Sequence, residues 1–268
     1  MSYQHTMEML FRETGPNARA SPGSDARWKG PVNVKNMQGL PSQGRRRLNK
    51  LAHRFCLASL NVGTMSGGHN EVAKALERRH IDLCAVQETR WSGQKSYDIG
   101  CGYKLIYNGS RGTTSSVGII ISNKFIDLVS EVQRYDDRHM KIEFVAGEIK
   151  IHIFSIYAPQ TGLSAECKDA FCSSVDEKIA EVPPENYLIV TGDLNGHVGR
   201  RKEGHVAHGG HGYGDKNDDG QRILDFAETH NLVIANTWFK KRDTHLITYY
   251  SASNTIQIEN FLVGRRNL

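Results

Sequence analysis

Short runs of β-forming residues recur along the chain, and nothing constrains its fold more. They are Phe55–Leu60, Ile81–Val86, Tyr103–Tyr107, Val117–Ser122, Ile149–Ile156, Tyr187–Val190, Val233–Ala235 and Ile256–Val263. Runs of this length, bounded by Gly, Asn and Asp, signal strands of a sheet-built domain. Between them lie segments with helical spacing. Val72, Ala75, Leu76 and Arg79 form a half-apolar stripe, and Phe171, Val175, Ile179 and Val182 form another after Ser164, an expected N-cap. A third helix is predicted over Gln221 to His230, burying Ile223, Phe226 and Ala227. Strands stacked as a pair of sheets with helices outside would bury both kinds of face, so the expected fold class is α/β (α+β). No repeat occurs at a solenoid period, which excludes an array.

Charge divides the chain. Residues 1–54 hold ten Lys and Arg against three Asp and Glu, whereas residues 55–268 hold 24 against 26. The first segment also contains Pro16, Pro22, Pro31 and Pro41 and has weak apolar periodicity. It is expected to be a mostly disordered basic leader, because it buries too little apolar area to offset its ordering entropy. The run Arg45-Arg46-Arg47 with Lys50 and Arg54 fits a nuclear address or a clamp on a phosphate backbone; a solvated tail without a partner is the alternative. Residues 55–268 are expected to form one domain. No apolar run approaches the roughly 18 residues of a membrane-spanning helix. Met1 to Glu13 lacks the apolar stretch of a secretory signal. Cys56, Cys84, Cys101, Cys167 and Cys172 are odd in number and lack CxxC spacing, which argues against a disulfide scaffold or zinc ribbon and for reduced thiols inside the cell.

Four of the apolar runs end alike. Cys56–Leu60 runs into Asn61, Leu83–Gln87 into Glu88, Ile151–Ile156 into Tyr157, and Leu188–Thr191 through Gly192 into Asp193-Leu194-Asn195. If these ends share one rim, two amides, a phenol and two carboxylates converge there. Magnesium prefers carboxylate oxygen and commonly takes one or two carboxylates plus water and substrate oxygens. Glu88 is then the best ligand, Asp193 can orient or deprotonate a water, and Asn195 and Tyr157 can donate hydrogen bonds to phosphate oxygens. Singly, each of these residues reads more simply as a turn residue. The ordered set of five, each closing a strand, is what shifts the balance.

Leu60-Asn61-Val62, Gln87-Glu88-Thr89-Arg90-Trp91, Tyr157-Ala158-Pro159-Gln160 and Gly192-Asp193-Leu194-Asn195 resemble the motif series of the endonuclease/exonuclease/phosphatase superfamily. The Gln-Glu-Thr-Arg-Trp form is similar to the abasic-site-like endonucleases of non-LTR retrotransposons. Asp215 to Phe239, with Asn217, Gly220, Arg222, Asn231-Leu232 and Asn236-Thr237, resembles the segment that follows. The resemblance implies a four-layer sandwich of two mixed β-sheets flanked by helices. It also implies Mg²⁺-dependent hydrolysis of a phosphodiester bond in duplex DNA, with Mn²⁺ as a substitute. Asn61 and Glu88 would hold the metal, Tyr157, Asp193, Asn195 and Glu259 would serve catalysis, and Asn61, Asn217 and Arg222 would bind phosphate.

Three departures qualify it. Gly63 stands where repair enzymes carry a second metal-site carboxylate, which favours the retroelement branch. Ile258-Glu259-Asn260 stands for Ile-Asp-Tyr, and the extra methylene moves the carboxylate by roughly 1.5 Å, a shift that can cost about 100-fold. The chain reaches Leu268 without the family's closing Ser-Asp-His strand, so an unpaired sheet edge and a further loss of about 10²–10⁴ in rate are expected. His205, His208 and His211 are spaced for a metal but sit in a Gly-rich loop with no helix to put them on one face, which favours a mobile polar loop. His197 beside Asn195 is the other histidine that could substitute, and His152 reads as structural. The leading expectation is an impaired DNA endonuclease that does not contact membranes and resides in the nucleus. The alternatives are a non-catalytic module binding nucleic acid or chromatin through its leader, and a phosphoesterase acting on inositol or lipid phosphates.

Overall fold

The central strands are apolar on both faces, so neither sheet face can meet water, and the chain answers with four layers. In the computed structural model, which describes residues 7–12, 54–251 and 254–265, the outer layers are helices and the inner two are sheets. The first sheet has the order β1-β2-β3-β6-β5-β4. Its strands are β1 Met7–Arg12, β2 Arg54–Asn61, β3 Leu83–Gln87, β4 Gly93–Gly100, β5 Tyr103–Gly109 and β6 Val117–Ser122. The second has β7 Val129–Arg134, β8 His139–Ala146, β9 Ile149–Tyr157, β10 Tyr187–Asp193, β11 Leu232–Ile234 and β14 Glu259–Gly264. Their order is β11-β14-β10-β9-β8-β7. A hairpin of β12 Tyr249–Ser251 and β13 Asn254–Ile256 stands apart. Both sheets are mixed: β2 runs parallel to β3 and β9 to β10, and the other pairs are antiparallel.

Alternation along the strands assigns the layers. Leu57, Leu83, Ile119, Ile153, Ile189 and Phe261 fill the space between the sheets. Ala58, Leu60, Val86 and Ile120 point outward and receive Val72 and Leu76 of helix α1 (His69–Arg78). On the far side, Phe154, Ile156, Val190 and Leu262 receive Val175 and Ile179 of α3 (Ala165–Ala180) and Ile223, Leu224 and Ala227 of α4 (Asp218–Thr229). Each such Val, Leu, Ile or Phe side chain taken from water contributes about 1.5–3 kcal/mol, so the packing of these stripes outweighs helix propensity. Ser164 caps α3, its hydroxyl accepting from Cys167 N at 3.4 Å, as its sequence position suggests.

Several expectations need correction. Met7–Arg12, within the expected leader, is an edge strand paired antiparallel to β2 from Met7↔Ser59 to Arg12↔Arg54. The leader reading for 13–53 lies outside the described residues. Strands β4, β7 and β8 and the short helix α2 (Asn123–Ile126) carry no clear sequence signal. Strand β4 is exposed from Gln94 to Asp98 and shows no apolar alternation, while β8 buries Lys141 and His139 among its apolar residues. The run Ile256–Val263 is not one strand, because Gln257 and Ile258 separate β13 from β14. The sheet edge beyond β14 is not open: β11 pairs with β14, and Ile234 N donates to Ala207 O at 2.9 Å on its outer side.

Candidate active site

The layer between the sheets changes character toward one end. Ser59, Gln87, Ser155 and Thr191 are fully buried, and Gln87 spans the gap, accepting from Ser59 Oγ at 3.5 Å and donating to Ser155 Oγ at 3.4 Å. Two residues further along β2, β9 and β10, on the same face, stand Asn61, Tyr157 and Asp193. Register completes the row: Asn61 lies opposite Gln87, Tyr157 opposite Asp193, and Asp193 opposite Glu259. The strand ends singled out in the sequence therefore meet at one rim, contributed by both sheets.

The contacts there are specific. Asn61 Nδ2 donates to Glu88 Oε1 at 2.9 Å and to Asp193 Oδ2 at 3.1 Å, joining a carboxylate of one sheet to a carboxylate of the other. Tyr157 donates its hydroxyl proton to Glu88 Oε1 at 2.7 Å and accepts from Gln160 Nε2 at 3.2 Å. Asn195 N donates to Asp193 Oδ1 at 3.1 Å, while Asn195 Nδ2 is held by Ala158 O at 2.9 Å. Burial pushes Tyr157 up to about 12, helped by its bond to Glu88, so the phenol remains a donor throughout the physiological range. The backbone carries strain at the same place. Glu88, Arg90 and Asn195 have φ of 56°, 55° and 49°. Non-glycine residues in that left-handed region cost on the order of 1–2 kcal/mol each. Gly192 is required by close approach: a Cβ there would stand 1.9 Å from Ile156 O.

Asp193 and Glu259 are both buried, and burial is the largest influence on each. Asp193 is pushed up to about 6, against the opposing pull of its bonds from Asn61 and Asn195 N. Glu259 is pushed up to about 8, with the neighbouring Asp193 charge as the second cause. Glu259 Oε2 is buried and has no hydrogen-bond partner.

Two expected phosphate-binding residues are engaged elsewhere. Asn217 is the N-cap of α4: its Oδ1 accepts from Gly220 N at 2.8 Å and from His197 N at 3.0 Å. Arg222 pairs with Asp169 across α3 and α4 on the outer face of the second sheet. Asn61, expected as a metal ligand, is oriented by the backbone. Its Oδ1 accepts from Gly63 N at 3.0 Å, so its nitrogen, not its oxygen, faces the carboxylates. The histidine loop is structural. His208 is fully buried, with Nε2 on Gly199 O and Nδ1 accepting from Gly210 N, each at 3.0 Å.

Residues without a sequence signal complete the site. Arg138 lies over the Tyr157 ring, 5.2 Å from its centre, and donates to Tyr157 O and Ala158 O at 3.3 Å each. Thr248 Oγ1 accepts from Ile258 N at 2.9 Å and from Glu259 N at 3.3 Å, which fixes the start of β14. Asn236, noted only as part of a motif, grips both sides of Asn260: Nδ2 donates to Glu259 O and Oδ1 accepts from Phe261 N.

The donor set is all oxygen and nitrogen with no thiolate, the chemistry a hard divalent cation takes. Among the described residues no three His, Cys, Asp or Glu side chains converge into a protein cage for a metal. Magnesium does not require one, since it keeps most of its waters. The partly exposed carboxylate of Glu88 fits such an ion.

Comparison with known proteins gives the fold context. No family model matches the chain. The chain is 25% identical over 243 residues to craniofacial development protein 2 of Tragulus javanicus, covering 90% of this chain and 41% of that protein. It therefore spans about two-fifths of the length of the curated relatives it matches. The endonuclease domain of TRAS1, a telomere-specific non-LTR retrotransposon, superposes with a TM-score of 0.54 at 14% identity, covering 77% of this chain and 82% of that one. An AP endonuclease from Leishmania major superposes at 0.59 and 11% identity, covering 78% and 79%. Structural likeness alone thus does not separate the retroelement branch from the repair branch.

Proposed function

From a chain that has the fold of the endonuclease/exonuclease/phosphatase superfamily and is related to craniofacial development protein 2, we propose a magnesium-dependent phosphodiesterase acting on duplex DNA. One observation carries the reading: Asn61 joins Glu88 to Asp193 across the two sheets, with the Tyr157 hydroxyl on the same Glu88 oxygen.

The division of labour follows from the surroundings of each group. Glu88, with 17% of its side chain exposed, would hold the cation. When bound, magnesium supplies charge neutralisation at the phosphate and its leaving oxygen. Asp193 is buried and held by two donors, so its carboxylate is fixed in direction, and its raised pKa makes it a better proton acceptor than a free aspartate at neutral pH. It would take the proton of the attacking water. Tyr157, a permanent donor, would stabilise charge developing on the phosphate oxygens. Glu259 is largely neutral at pH 7 and sits beside Asp193, where a second full charge would otherwise raise the Asp193 pKa further. Asn195, held by Ala158 O, positions the backbone N–H that Asp193 accepts.

The test is nicking of supercoiled plasmid with Mg²⁺, comparing the parent with Glu88→Ala and Asp193→Ala. Both variants should lose at least about a hundredfold in rate. Nicking at the parental rate by either one ends this assignment.

A further inference from the structure

Charge is gathered unevenly over the folded domain. Residues 198–217 and 238–245 together hold seven Lys and Arg against three Asp and Glu, whereas residues 55–268 as a whole hold 24 against 26. The rest of residues 55–268 is therefore net acidic, 17 against 23. The loops are stitched side by side: His211 N donates to Thr237 O at 2.9 Å, Gly209 N to Thr237 Oγ1 at 2.8 Å, and Arg200 pairs with Asp243 at 3.3 Å. This brings the triplet Arg200-Arg201-Lys202 beside the triplet Lys240-Lys241-Arg242. Arg201, Lys202, Lys240 and Arg242 are exposed, and no ion pair among the described residues consumes their charge. Phe239 next to them is 55% exposed, a large apolar ring left in water.

The loops are anchored in the candidate site. The first leaves directly from Asn195, whose N–H holds Asp193. The second leads to Thr248, whose hydroxyl fixes Ile258 and Glu259 at the head of β14. Tyr213 of the first loop also touches Thr255 of the β12–β13 hairpin at 2.7 Å. Rigid anchoring matters because cations on a floating loop would pay ordering entropy on every encounter.

We propose that the paired loops 200–202 and 240–242 form a docking surface for the phosphate backbone of duplex DNA, holding the duplex across the candidate site. Lys and Arg at this density neutralise successive phosphates and release counterions, and the exposed ring beside them can take sugar or base surface. An anionic membrane is disfavoured, because the cations sit on loops and the apolar face of the helix that follows the first of them, α4, is buried against the second sheet. The inference rests on the phosphodiesterase reading for its substrate class, but binding can be measured without chemistry.

The experiment is fluorescence anisotropy of the full chain with a short labelled duplex, titrated with salt in the absence of divalent cations. The combined variant Arg201→Ala/Lys202→Ala/Lys240→Ala/Arg242→Ala should reduce the magnitude of the slope of log K against log salt by about 3.6, roughly 0.9 for each phosphate left without its cation, and weaken binding at least about tenfold at low salt. Lys74→Ala/Arg78→Ala on α1, equally exposed, should leave the slope unchanged. Asp193→Asn should bind with the parental slope while failing to nick, which separates the docking surface from the catalytic reading. A parent that cannot nick, paired with a fourfold variant whose slope falls as expected, would sink the catalytic reading and leave this one standing. An unaltered slope in the fourfold variant, with its thermal midpoint retained, overturns the proposal, and so does parental binding to phosphatidylserine vesicles in preference to duplex.

Discussion

Asp193 and Glu259 stand directly opposite each other on the antiparallel strands β10 and β14, two carboxyl groups buried side by side. Such a pair cannot ionise fully without cost, and this has a consequence for stability. The folded Glu259 pKa is about 8 against 4.5 for the unconstrained group, and that of Asp193 about 6 against 3.8. Both are raised, so between about pH 4 and pH 8 the folded state binds more protons than the unfolded state. Stability contributed by this pair is then greatest at low pH and declines as pH rises through that window. Glu259→Gln should flatten the decline and stabilise the metal-free protein at about pH 8 by on the order of a few kcal/mol. Chemical denaturation of parent and variant with EDTA, from about pH 5 to pH 8, reads the difference. A gap that stays constant over that range would show that Glu259 does not titrate as argued.

Asn61 supports a second, sharper expectation. Its amide hydrogens serve carboxylates from two sheets, so removing it leaves Glu88 Oε1 with only the tyrosine and Asp193 with only a backbone donor. Asn61→Ala should cost on the order of 100-fold in nicking and move the acidic limb of the pH–rate profile upward, because loss of a donor raises a carboxylate pKa. Asn61→Asp should be at least as damaging, as it sets a third carboxylate against two. An unshifted limb in Asn61→Ala would mean that the amide positions neither group.

How much of this was legible beforehand depended on where the physics was local. The strand ends Asn61, Glu88, Tyr157 and Asp193 announced themselves because an apolar run that stops at a polar side chain is a one-dimensional pattern. Strands β4 and β8 did not, because an edge exposed on both faces and a strand that buries Lys141 and His139 break the alternation that marks a sheet. Arg138 was invisible for another reason. Its place over Tyr157 depends on the turn between β7 and β8 reaching across to β9, a tertiary fact with no sequence spacing attached. Asn217 misled in the opposite direction: an Asn ahead of an Asp-Asp-Gly helix start reads as a cap as readily as a ligand, and the family likeness drew it toward the phosphate.

The capping role of Asn217 is itself testable. As the α4 cap, Asn217 satisfies Gly220 N and His197 N. Asn217→Ala should cost about 1–2 kcal/mol of stability, and Asn217→Asp or Asn217→Ser should restore most of it. Because its side chain is spent on these two backbone donors and not on the Glu88–Asp193 cluster, KM for DNA should be unchanged in whatever fraction stays folded. A raised KM that Asn217→Ser does not rescue, without a drop in thermal midpoint, would return the residue to a phosphate-binding role.

Glycine at 192 is the severest constraint in the candidate site, and a comparison with Gly63 isolates why. Both have positive φ, 149° at Gly192 and 62° at Gly63. At Gly63 a Cβ would meet nothing within 4 Å, so Gly63→Ala pays only for the left-handed backbone, about 1 kcal/mol. At Gly192 the same atom would lie 1.9 Å from Ile156 O and 2.8 Å from its carbonyl carbon, both in the neighbouring strand β9. Relief requires β9 and β10 to separate, and Tyr157 and Asp193 lie opposite each other one residue beyond that point. Gly192→Ala should therefore cost more than about 3 kcal/mol, or prevent folding, and any folded remainder should nick poorly because the Tyr157–Asp193 spacing has changed. Paired urea titrations decide it: equal losses for the two substitutions would show that backbone conformation alone, and not the close approach of the strands, demands glycine before Asp193.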